Sequence, residues 1–255
     1  MNRKYKYFVP IILLMFINYI GLSIISSLMK TFDLKRFILS QLWGAICFCC
    51  TIICFRLLYK KRFLKDFFIK DFKPRMIICI VCCFVIGVAF HFLNQWVVFL
   101  FPNIYNFWDV NYYNNLVLYT NTIPYYLYVG ILIPIFEEII FRGYFVTQCR
   151  FELGYNKAII IGALLWGIMH MNFAQFLYVF VMGLILNMIF IETDNLLYTI
   201  IIHIGCNLGG LLTFIPVLRK VFNYGRQGQL FIIIVTAVIV VIGSTFLVKY
   251  NKLKN

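Results

Sequence analysis

The chain has 255 residues, of which 63% are hydrophobic and 13% charged, and its mean hydropathy is +0.91. That leaves too little polar side chain to cover a soluble domain of this size. The net charge of +14 would point to nucleic acid in a soluble protein. Here the basic residues stand between apolar runs and form no patch interleaved with exposed aromatics, so they fit the positive-inside rule and contact with anionic lipid instead. Phe, Ile, Tyr, Asn and Lys are abundant and Ala is scarce, the usage of an AT-rich bacterial genome.

The expected architecture is all-α, a polytopic membrane helix bundle. Eight runs of span character follow one another, about residues 7–29, 37–58, 76–101, 120–150, 157–171, 174–191, 196–216 and 229–248, judged against the roughly 18 apolar residues that mark a crossing. The fifth is short for a full crossing. The first follows Asn2-Arg3-Lys4, as a signal peptide would, but it is longer than an h-region and lacks a small-x-small cleavage site. It reads as the first membrane helix.

Between the second and third runs, FLKDF and FIKDF occupy residues 63–72. Leu64, Phe68 and Phe72 recur at helical spacing, with Lys65, Lys70 and Lys73 on the other side. Segment 60–75 therefore reads as a basic amphipathic helix lying on anionic lipid. His91, with Asn94 in the same run, reads as a buried histidine satisfied by a helix neighbour. Segment 103–122 is rich in Tyr, Asn and Trp and has no Lys or Arg, which suits an external interfacial loop.

With the N-terminus in the cytoplasm, most of the 23 Lys and Arg fall in or beside the inner segments. The rule therefore favours both termini inside, although Lys30, Lys35, Arg36, Arg219, Lys220 and Arg226 then fall outside. The chain reads as one membrane domain in three parts. Residues 1–119 supply N-terminal helices and the basic loop, 120–216 a core, and 217–255 a C-terminal helix. The nine cysteines include Cys47, Cys49 and Cys50, too crowded on one helix for a tetrahedral metal site. They read as small apolar packing residues.

The fourth run contains FEEIIFRG, Phe136 to Gly143. A charge at bilayer mid-depth costs roughly 2.5–3.5 kcal/mol on insertion scales, so three in six positions need a reason. Glu138 and Arg142 are four apart and can pair on one helix face. Glu137 is turned about 100° away and has no partner on its own helix. An intramembrane carboxylate of that kind is a functional candidate.

Gly154 in LGYN suits a helix C-terminus, and Asn156 suits the next N-cap. If both flanking helices run straight, Glu137 and His170 lie at matching depth, about 20–25 Å from that turn. The turn ETDN, Glu192–Asn195, opens the helix that carries His203 and Asn207, four apart on one face. Glu137, His170, His203 and Asn207 thus converge from three helices. The set suits peptide hydrolysis: a carboxylate as general base, an imidazole sharing the water, and a histidine and an amide donating to the oxyanion. Cys206 points to a different face and is no nucleophile for this set.

These residues resemble the CAAX prenyl protease and bacteriocin-immunity (Abi, CPBP) family of intramembrane proteases. The EExxxR motif stands as Glu137-Glu138-Ile-Ile-Phe-Arg142. FxxxH stands as WGIMH, with Trp166 replacing Phe and His170 in place. HxxxN stands as His203-Ile-Gly-Cys-Asn207. The resemblance covers about residues 120–210. It implies a membrane-embedded endopeptidase in which Glu137 activates water with His170, His203 and Asn207 form the oxyanion site, and Glu138 and Arg142 support them. Trp166 keeps an aromatic, so little effect is expected from that departure.

The resemblance also carries a metalloprotease reading, with Glu137, His170 and His203 as a zinc set; glutamate-activated water with no required cofactor is favoured. A bacterial chain lacks prenylated tails, so the expected substrate is a small membrane-associated peptide: a signalling-peptide precursor, leader peptide or bacteriocin. The alternatives are a non-catalytic bacteriocin-immunity or scaffold protein and, last, a transporter using its carboxylate as a proton relay.

Overall fold

The computed structural model describes residues 34–59, 76–103, 123–210 and 225–252, together with a few helical positions between 13 and 28. Most of the first expected span, the basic segment 60–75 and nearly all of the loop 103–122 lie outside the described residues. Among the described residues every regular element is helical. In chain order these are α1 (Leu34–Tyr59), α2 (Met76–Leu93), α3 (Gln95–Leu100), a continuous helix α4 over 123–153, α5 (Tyr155–Met169), α6 (Phe173–Thr193), α7 (Leu196–Leu208) and α8 (Gly225–Lys252).

Three of these, Met76–Leu93, Phe173–Thr193 and Gly225–Asn251, are long and apolar enough to cross a membrane. Their sidedness shows a lipid-facing surface. On α2, Cys79, Cys83, Ile86 and Phe90 recur at helical spacing and are buried, while Ile77, Ile78, Val81, Phe84 and Val85 are exposed. On α8, Ile232, Thr236, Val240 and Leu247 face inward, and Phe231, Ile234, Val238, Val241 and Ile242 face out. An outer face built of Ile, Val and Phe is stable only against hydrocarbon, so this is a membrane bundle.

The structure corrects several expected boundaries. The third run is not one helix, because α2 ends at Leu93 and α3 resumes at Gln95. The next helix starts at Tyr155, with Gly154 rather than Asn156 before it. Gly154 has φ +86, a conformation that glycine enters without a Cβ penalty, and this allows the sharp reversal. Helix α7 runs from Leu196 to Leu208, and the expected end at 216 falls in residues 211–224, outside the described residues.

Helix α4 is not a regular α-helix either. Tyr128–Leu132 and Ile139–Val146 are π-helical. Pro134 lacks the N–H that would continue the ladder across the first of these stretches. In the second, the Thr147 hydroxyl donates to the Arg142 carbonyl at 2.9 Å, five residues back. The i→i+5 turn is wide and lowers the rise per residue. Glu137 and Glu138 close the short α segment, Ile133–Glu138, between the two stretches.

Two turns lie at the same end of the bundle. Arg150, before Gly154, pairs with Asp194 at 2.6 Å, and the Tyr155 hydroxyl donates to Glu192 at 2.7 Å. Asp194 takes a left-handed conformation and the Asn195 side chain caps α7 through the Leu197 N–H. The ETDN turn is therefore as expected. Helices α2 and α7 meet at Gly87 and Gly205: a Cβ on Gly87 would collide with the Ile202 carbonyl, and one on Gly205 would lie 2.6 Å from the Phe84 carbonyl. Small residues permit this backbone contact.

Candidate active site

Helices α4, α5, α6 and α7 build the site around Trp166. This indole is 1% exposed. Its N–H donates to Glu137 Oε2 at 2.7 Å. The Arg142 guanidinium lies over its ring, 4.0 Å from the centroid. His170 and His203 stand edge-on to it, with ring centroids at 5.7 and 5.2 Å. Glu137, His170 and His203 are thus brought together, and the reversal at Gly154 does it by laying α5 back along α4.

Glu138 and Arg142 pair as expected, Nη1 to Oε1 at 2.8 Å, and both are buried. The same Glu138 oxygen also lies 2.9 Å from His203 Nδ1. A carboxylate only accepts, so Nδ1 carries the hydrogen and the ring presents Nε2 to the site. Arg142 Nε in turn donates to Asn187 Oδ1 at 2.9 Å, and Asn187 Nδ2 donates to the Ile159 carbonyl at 2.9 Å. One chain of charge-assisted bonds therefore ties α4, α5, α6 and α7 together.

His170 Nδ1 lies 2.9 Å from the Trp166 carbonyl. The carbonyl accepts, so Nδ1 donates and Nε2 is left with its lone pair. Asn207 Nδ2 donates to the Val129 carbonyl at 2.8 Å, in the first π-helical stretch. An amide nitrogen has two hydrogens, so this bond occupies one. It also anchors α7 to α4.

Sequence reasoning missed three contributions. Asn187 is fully buried in α6; its signal was an amide inside the apolar run VMGLILNMIFI. The Val129 carbonyl carries no side-chain signal. For Trp166 the sequence reading weighs the aromatic ring and not its N–H. His91 has its partner on a neighbouring helix: its Nδ1 lies 3.1 Å from the Cys206 carbonyl on α7, and Asn94 contacts the Cys206 sulfur at 3.9 Å. The Cys206 sulfur lies toward Asn94, just after α2.

Comparison with known proteins bears on this geometry. Residues 119–209 match the family model described as type II CAAX prenyl endopeptidase Rce1-like. Over this segment the chain is similar to the CAAX protease family. The matched span contains the three motifs and runs from just before α4 to the end of α7. No curated protein and no solved structure matches the chain.

Zinc was the other reading that this family suggested. Among the described residues no three His, Cys, Asp or Glu side chains gather as a metal ion needs. Glu137, His170 and His203 as they stand do not form such a group.

Proposed function

We propose that this protein is a multi-pass intramembrane endopeptidase that hydrolyses a peptide bond in a small membrane-associated peptide through water activated by Glu137. The arrangement of Glu137 against Trp166, with a histidine on either side, carries the reading. One carboxylate oxygen takes the indole N–H, leaving Oε1 as the base for water. His170 Nε2, an acceptor in the neutral ring, takes the second hydrogen bond from that water. Attack on the scissile carbonyl moves a proton to Glu137, which then passes it to the leaving amine.

The developing oxyanion needs donors. The second amide hydrogen of Asn207 is one. His203 is the other: a hydrogen at Nε2 as well as Nδ1 makes the ring an imidazolium, with Glu138 as its counter-charge. Arg142 and Asn187 keep Glu138 in place. A low-dielectric setting strengthens each of these interactions.

The substrate class follows from the surroundings. A site lined by apolar helices suits a peptide that partitions into the membrane, such as a leader peptide, signalling-peptide precursor or bacteriocin. Both termini lie in the cytoplasm in this reading, and segment 60–75 rests on anionic lipid. The test is reconstitution of the purified protein in liposomes with a quenched-fluorescent library of amphipathic peptides. New peptide termini by mass spectrometry are the expected result. An intact library, with the protein folded and correctly inserted, would count against the peptidase reading.

A further inference from the structure

The CAAX protease motif that ends in His170 begins here with Trp166, where the usual residue is Phe. A phenyl ring can fill that volume, but it has no donor. The indole does have one, and it points at Glu137 Oε2 from 2.7 Å. We propose that Trp166 is a positioning residue: its N–H fixes the Glu137 carboxylate so that one oxygen is held and the other faces the water. This rests on the peptidase reading for its consequence in catalysis, but the hydrogen bond itself does not.

Three observations make this more than packing. Trp166 is almost wholly buried, and a buried indole N–H needs an acceptor. Its acceptor is the one carboxylate of the EE pair that the Arg142 ion pair does not use. The ring is itself held from the other sides. Arg142 lies over its face, Phe141 is tilted against it at 6.4 Å between centroids, and His170 and His203 meet it edge-on. A donor clamped on several sides cannot follow a wandering carboxylate, so the carboxylate must come to it.

Packing also explains why the two histidines follow the indole. His170 is one helical turn beyond Trp166 and bonds its carbonyl. His203 comes from α7 and abuts the ring on its way to Glu138. Trp166 thus sets the spacing between base and oxyanion side, and its N–H sets the rotation of the base.

Two measurements test this. In protein labelled with 15N at the indoles, Trp166→Phe identifies the Trp166 N–H resonance by deleting it. That resonance is expected downfield and slow to exchange, and Glu137→Gln is expected to move it, since the acceptor becomes neutral. A Trp166 resonance that Glu137→Gln leaves in place overturns the proposal, whether or not any peptide is cleaved. On a quenched-fluorescent peptide that the wild type cleaves, folded Trp166→Phe is expected to lose about 10- to 100-fold in kcat, the loss of one hydrogen bond to a charged group. Its KM is expected to change by less than about threefold, since bound peptide does not touch the indole N–H. An unchanged kcat in Trp166→Phe overturns the positioning role. If the wild type cleaves nothing, the peptidase reading fails and the resonance test still decides the hydrogen bond.

Discussion

Three charges within FEEIIFRG divide into two roles. Glu138 and Arg142 offset each other and also hold His203 and Asn187. Breaking a buried pair by removing one partner costs about 3–5 kcal/mol, because the other charge stays buried. Arg142→Met should therefore lower the unfolding temperature in detergent markedly. Arg142→Lys should rescue only part of that loss, since an ammonium cannot serve Glu138 and Asn187 with a fixed fork. Asn187→Leu leaves the Arg142 Nε–H without its acceptor and should cost about 1–3 kcal/mol, measured in the same melt. The pairing was legible from the i, i+4 spacing. The role of Trp166 was not, because a motif letter records an aromatic ring and not the direction of its N–H.

At the scale of the helix, the apolar runs that form α2, α6 and α8 were legible because hydrocarbon demands such runs whatever the fold. The phase within them was less so. A reading at 3.6 residues per turn treats α4 as straight, but Tyr128–Leu132 and Ile139–Val146 are π-helical. Pro134 gave a hint of the first stretch; nothing local announced the second. The polar residues still converge, because the reversal at Gly154 and the bonds to Asn187 and Asn207 fix the helices on each other. Contact between α2 and α7 depends on Gly87 and Gly205. Gly87→Ala forces the helices apart at Ile202, next to His203. Overpacking of this kind costs about 1–3 kcal/mol, and a thermal melt checks it. Disulfide trapping between Cys pairs engineered across α2 and α7 should slow in that variant. Equal trapping rates would mean that α7 does not move.

For the whole molecule, the outer faces of α2 and α8 carry the argument for a membrane. Their exposed Ile, Val and Phe would aggregate in water. The sidedness we propose rests on charge: in the eight-span reading, most Lys and Arg fall on the side of the N-terminus. A green fluorescent protein fused after Asn255 should therefore fluoresce in a bacterial host, and alkaline phosphatase fused there should stay inactive. The reverse pattern would place the Gly154 and Asp194 turns on the outer face, since those turns share one end of the bundle and Asn251 of α8 donates to the Thr193 carbonyl there at 3.2 Å.

The central claim is that Glu137, and not Glu138, is the base. Glu137→Gln keeps the side-chain volume and an acceptor for Trp166, but it cannot take a proton from water. The decisive measurement is peptide cleavage by this variant in liposomes, beside its melting temperature. The account predicts a loss of cleavage by at least about a hundredfold, the lower range for removing a general base, with a melting temperature close to the wild type's. Cleavage at the wild-type rate by folded Glu137→Gln would contradict it.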